Sequence, residues 1–173
     1  MEEVKVKIVG IAPMLMNRFK MEKPEDTKAK RKDEQYSPET DAENALYRDE
    51  KIGIYAPCTW LEACLREAGK EIKKGKSSYK ETIKSSVFIT PEMIPLNKKT
   101  YDEIDLRAVV IQRNRVAKGR PKFNSWALEF NIKYDEKRIK KDTLKQILEE
   151  AGATKGIGDY RPKFGRFKVE KFE

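Results

Sequence analysis

The 173-residue chain reads as an α+β protein of ferredoxin-like order, βαββαβ, with insertions after the first strand and the first helix. Three observations predict this. Charged and apolar residues alternate near both ends of the chain and again over 123–134, the period of half-buried strands. Two segments, 59–74 and 141–151, repeat apolar residues at helical spacing. Stripped of insertions at about 11–55 and 77–103, the order is strand, helix, strand, strand, helix, strand. One domain over 1–173 accommodates it.

The first strand is predicted over 2–9, where Val4, Val6 and Ile8 alternate with Lys5 and Lys7. Residues 11–19 form an apolar loop closed by Arg18 and Phe19. Residues 20–35 are charged without an apolar period, which suggests a mobile or partner-ordered loop. Pro38 opens a short helix over 38–48. Thr59 and Glu62 match a capping box, and Leu61, Cys64, Leu65, Ala68 and Ile72 follow at helical spacing, giving a helix over 59–74. Ser78 with Glu81 is a second box, opening a helix to about Ser85. Val87-Phe88-Ile89 is a short strand within the second insertion, and 91–103 is a loop.

Residues 104–117 read as a long strand with Val109-Val110-Ile111 as its buried centre. Lys118-Gly119-Arg120-Pro121 reads as a turn. It leads into a strand over 123–134 with Trp126, Leu128, Phe130, Ile132 and Tyr134 on one face, and the two strands form a hairpin. Core packing, rather than base stacking, is the expected role of Trp126, Phe130 and Tyr134. A helix over 141–151 is capped by Asp142 or Thr143, buries Leu144, Ile147 and Leu148, and ends at Gly152. A glycine-rich segment follows, and 166–172 form the last strand.

Hydrophobic residues make up 38% and charged residues 39% of the chain, with a formal net charge of +9. That balance suits an anionic partner, although a thermophile-type surface rich in Lys and Glu would share it. The distribution of charge separates the two. Residues 1–50 carry ten basic and twelve acidic residues. Arg107, Arg113, Arg115, Lys118, Arg120 and Lys122 fall in a run with no acidic residue. Lys155, Arg161, Lys163, Arg166, Lys168 and Lys171 form a second run, against Asp159 and Glu170. Local excess of this kind is what phosphate-backbone binding requires.

The segment Gly156-Ile157-Gly158-Asp159-Tyr160-Arg161-Pro162-Lys163-Phe164-Gly165-Arg166-Phe167 joins three properties. Gly156, Gly158 and Gly165 permit positive φ and close backbone approach. Successive amides can form an anion nest. Arg161, Lys163 and Arg166 add charge beside Tyr160, Phe164 and Phe167.

Catalysis finds little support. Histidine is absent, which excludes Ser/His and Cys/His nucleophiles and His-ligated metals. The acidic residues Asp26, Asp33, Glu34, Asp41, Asp49 and Glu50 show no metal-site spacing. Cys58 and Cys64 fit no metal clip and read as buried free thiols. No catalytic residue, metal or cofactor is assigned. No apolar run is long enough to cross a bilayer, and the N-terminus is no signal peptide, so the expected location is cytoplasmic, away from membranes.

Two stretches resemble the RAMP superfamily, CRISPR-associated proteins built on modified RNA-recognition folds. Tyr55-Ala56-Pro57-Cys58-Thr59-Trp60-Leu61-Glu62-Ala63-Cys64-Leu65-Arg66 is similar to its strand-to-helix entry. Gly156 to Phe167 is similar to its glycine-rich loop before a final strand. The resemblance is nearest to the backbone subunit that polymerises along guide RNA. It implies that the sheet face, the glycine-rich loop and inserted loops hold RNA, and that neighbouring subunits interlock. The matching positions are Gly156, Gly158, Arg161, Lys163, Gly165 and Arg166, with Thr59 and Arg66.

The function expected is sequence-independent binding of single-stranded RNA or DNA along its backbone by a homo-oligomer. The residues expected to carry it are Arg18, Arg66, Arg107, Arg113, Arg115, Lys118, Arg120, Lys122, Lys155, Gly156, Gly158, Arg161, Lys163, Gly165 and Arg166. A RAMP-type endoribonuclease and an assembly protein with a basic surface are the alternatives. The superfamily's processing nucleases often use histidine, which this chain lacks.

Overall fold

The computed structural model describes residues 1–19, 37–111 and 113–173. The charged loop expected over 20–35, with Asp26, Asp33 and Glu34, lies outside the described residues. The protein is of mixed α+β class with antiparallel sheets.

The strands are β1 (Glu2–Gly10), β2 (Met14–Leu15), β3 (Arg48–Asp49), β4 (Gly53–Pro57), β5 (Lys73–Lys74), β6 (Ser77–Ser78), β7 (Val87–Thr90), β8 (Met93–Pro95), β9 (Glu103–Ile111), β10 (Asn114–Phe123), β11 (Ala127–Tyr134) and β12 (Phe167–Phe172). The helices are α1 (Pro38–Ala45), α2 (Cys58–Gly69), α3 (Lys80–Ser86) and α4 (Lys141–Thr154).

The main sheet has the order β12-β1-β11-β7. In β1 and β11 the pairs Val4↔Ile132, Val6↔Phe130 and Ile8↔Leu128 put an apolar residue from each strand on one face. That face is covered by Leu61, Cys64, Leu65 and Ala68 of α2 and by Leu144, Ile147, Leu148 and Ala151 of α4, all in one buried cluster. Trp126, Phe130 and Tyr134 are buried there too, as expected of core residues. The opposite face is charged, with Lys7 held by Glu170 at 2.7 Å and Asn131 donating to Glu3. Smaller sheets follow the orders β2-β10-β9 and β3-β4-β8, with β5 and β6 as a separate pair.

Several elements differ from expectation. The hairpin is β9 with β10, not 104–117 with 123–134, and Ile111 pairs with Asn114. The expected turn at Lys118–Pro121 is instead straight strand within β10. Gly119 sits there because a Cβ would lie 2.3 Å from the Pro38 carbonyl oxygen of α1. The true turn brackets Arg113, whose φ is 68°. Val110, read as buried, is 69% exposed. Short β7, read as part of an insertion, takes the sheet position beside β11.

The helix ends also differ. Pro57 occupies the α2 N-cap without a side-chain bond. The Cys58 amide donates instead to the Glu92 carbonyl at 2.8 Å, so the Thr59–Glu62 box is not formed. The helix stops at Gly69 rather than 74. Tyr79 precedes α3 and Lys140 precedes α4, both without side-chain caps, so Ser78, Asp142 and Thr143 do not cap. Gly152 lies inside α4, where a Cβ would come within 2.3 Å of the Phe167 carbonyl oxygen. It admits β12 rather than ending the helix.

Cys58 and Cys64 are free and buried. Burial pushes the Cys64 thiol up to about 12. Among the described residues no helix is long and apolar enough to cross a membrane.

Candidate nucleic-acid interface

The glycine-rich segment leaves α4 at Lys155 and folds back on itself before β12. Gly156, Gly158 and Gly165 have φ of 71°, 81° and 79°. The space their missing side chains leave is filled by the protein's own backbone. A Cβ at Gly165 would lie 1.7 Å from the Ile157 carbonyl oxygen, and one at Gly158 would lie 2.5 Å from that of Leu15.

The amides are engaged as well. Ile157 donates to Gly165, Asp159 to Leu15, Phe164 to Tyr160 and Gly165 to Pro13, all within 3.1 Å. These amides therefore make no open nest. The glycines let the loop pack on its own backbone and on β2, and what it presents to solvent is its side chains.

The β9–β10 hairpin lies against this loop. The Arg107 guanidinium carbon is 4.5 Å from the Tyr160 ring centroid and 5.1 Å from that of Phe164. Arg120 stands 4.9 Å from the Tyr160 ring. Tyr160 is thus contacted by two guanidinium groups, one from each strand of the hairpin.

Arg120 is only 6% exposed. Its Nε lies 2.6 Å from Asp159 Oδ2. Neither atom completes a well-directed hydrogen bond among the described residues, and nor does Arg120 Nη1. The contact sets a buried guanidinium, supported by the ring, against a half-buried carboxylate. Arg107 is further held by Asp105 at 2.6 Å.

The predicted basic residues therefore fall into distinct roles. Arg107 and Arg120 clasp hairpin to loop. Lys122 bonds Glu103 at 3.0 Å, and that bond holds the Glu103 carboxyl below its ordinary value. Lys155 pairs with Glu71, and Arg161 with Glu67 at 3.3 Å. Lys155 and Arg161 line a hollow of about 500 Å³ with Gly158, Tyr160 and Glu67.

Arg113 and Arg115 are exposed at the hairpin end, and Lys163 and Arg166 are exposed on the loop. None of these four has an acidic partner among the described residues. Arg18 and Lys118 line a second hollow of about 260 Å³ with Asp41 and Asn44. Arg66 lies elsewhere, in a groove with Glu62, Ile83 and Phe88 between α2, α3 and β7. Thr59 belongs to the first turn of α2.

Sequence reasoning missed the acidic half of the site. Asp159 was visible as the lone carboxylate in a basic segment. Glu67 and Glu71, four apart, bear the spacing of neighbours along one helical ridge, although Glu71 lies just past the helix end. Tyr160, with φ 55°, gave no sign of its double contact.

No protein-family model matches the chain, and no curated protein matches it.

Proposed function

We propose that the protein binds single-stranded nucleic acid along its phosphate backbone, without reading bases and without cleaving the strand. The observation that carries this reading is the packing of the β9–β10 hairpin on the glycine-rich loop. Two basic runs far apart in sequence are joined through Arg107, Arg120 and Tyr160. Of the members without an acidic partner, Lys163 and Arg166 are exposed on the loop, and Arg113 and Arg115 are exposed at the far end of the hairpin. Structural partners absorb part of the positive charge of the two runs, and Arg113, Arg115, Lys163 and Arg166 have no acidic partner among the described residues.

The order β12-β1-β11-β7, with α2 and α4 on one face, supports the ferredoxin-like reading. With the sequence resemblance to RAMP backbone subunits, the proposal extends to assembly of several copies along one strand in the cytoplasm. The open sheet face carries Lys–Glu pairs and no aromatic residue on β1 or β11. That composition suits backbone contact better than base stacking.

Filter binding of oligo-U and oligo-dT at two salt concentrations tests the proposal. Affinity should fall steeply with salt and vary little with base sequence. Absence of binding to any oligonucleotide at low salt would overturn it. Labelled RNA should stay intact with and without Mg²⁺.

A further inference from the structure

Resting on that reading, we infer that the bound strand does not end at the glycine-rich loop but continues onto a second anchoring site, the small β5–β6 hairpin that follows α2. Its sequence, Lys70-Glu71-Ile72-Lys73-Lys74-Gly75-Lys76, holds four lysines and one carboxylate. The carboxylate is already neutralised, because Glu71 pairs with Lys155 at the root of the glycine-rich segment. One turn earlier, Glu67 pairs with Arg161 of the same segment. The end of α2 therefore ties the two basic elements together, and the hollow beside Lys155 and Arg161 lies at this junction.

The hairpin is built, not merely charged. The Tyr79 amide closes its base on the Ile72 carbonyl at 3.2 Å. Lys74 serves as its anchor: Nζ donates to Thr82 Oγ1 at 3.1 Å and to the Arg138 carbonyl at 3.0 Å, and lies 5.5 Å from the Tyr79 ring centroid. Fixing Lys74 leaves Lys70, Lys73 and Lys76 exposed, with no acidic partner among the described residues. At the tip, a Cβ on Gly75 would meet nothing within 4 Å, so the surface there is open to a polyanion. Lys70 also follows the C-terminus of α2, where a cation complements the helix dipole. Exposed cations on an anchored hairpin, beside a neutralised carboxylate, suit the phosphodiester chain proposed above to pass Lys163.

The test compares the salt dependence of binding for oligo-U and oligo-dT of about 6 and about 20 nucleotides, lengths that bracket common single-strand site sizes. The wild type should show a steeper slope on the long strand. Lys70→Gln/Lys73→Gln/Lys76→Gln should lose about 0.7 of slope per contact, about 2 in all, on the long strand only. Lys76→Gln alone, at the open tip, should lose about 0.7 and guards against misfolding of the triple variant. Lys51→Gln/Lys99→Gln, which lowers net charge elsewhere, should keep the wild-type slope. The inference is overturned if the lysine variants match the wild type on the long strand, or if the Lys51/Lys99 control loses as much slope. A wild type that binds neither length overturns the proposed function itself, an outcome distinct from these.

Discussion

Gly165 and Gly75 both have positive φ, 79° and 63°, yet they differ in what surrounds them. A methyl at Gly165 meets the Ile157 carbonyl oxygen at 1.7 Å, whereas one at Gly75 meets nothing. Gly165→Ala should cost about 3 kcal/mol, from strained backbone plus a clash that only loop displacement relieves. Gly75→Ala should cost about 1 kcal/mol, the price of the left-handed conformation alone. Chemical denaturation of both variants checks the contrast, and equal losses would contradict it. At this scale the sequence disclosed the conformational need for glycine in the loop. It did not disclose that Ile157 and Leu15 occupy the vacated space, because those contacts come from folding the segment onto itself and onto β2.

The clasp between the β9–β10 hairpin and the glycine-rich loop includes the buried Arg120 guanidinium facing the half-buried Asp159 carboxylate. Removing one partner strands the other charge away from water. Asp159→Ala should therefore destabilise the protein by about 3 kcal/mol, while Arg120→Leu/Asp159→Leu should recover most of that loss. A double-mutant cycle by urea denaturation measures it; a double variant as unstable as the single one would argue against a buried charge as the cause.

At the root of the same hairpin, Asp102 accepts from Lys98 Nζ at 3.0 Å and from the Asn124 amide at 2.7 Å. The Lys98 hydrogen bond, then that amide, holds its carboxyl below the ordinary 3.8. Its folded state binds the proton less readily than its unfolded state. Its contribution is therefore complete above the ordinary value and drains as pH falls through the lower folded value. The urea midpoint of the wild type should drop between pH 6 and pH 3 by more than that of Asp102→Asn. The hairpin's charge run was legible in the sequence. Its turn was not, since Gly119 and Pro121 signal a turn locally while α1 and β2 hold them in an extended strand.

Across the whole molecule, the α+β class and the order of the long amphipathic elements were readable because β1, β11, α2 and α4 each bury one face at a regular period. Four-residue β7 was misplaced, as so short a strand carries almost no period, and its position comes from pairing with β11. The order β12-β1-β11-β7 has one more consequence. The β9–β10 turn divides the chain so that β1 and β7 lie before it and β11 and β12 after it. The halves alternate across the sheet like interlaced fingers. Produced as two separate chains divided after Arg113, the two fragments should co-elute on a sizing column and separate only in denaturant. Fragments that part spontaneously would show that the sheet cannot hold them. If they stay together, the turn is a natural place to divide the protein into two complementing pieces whose reunion reports on whatever brings them close.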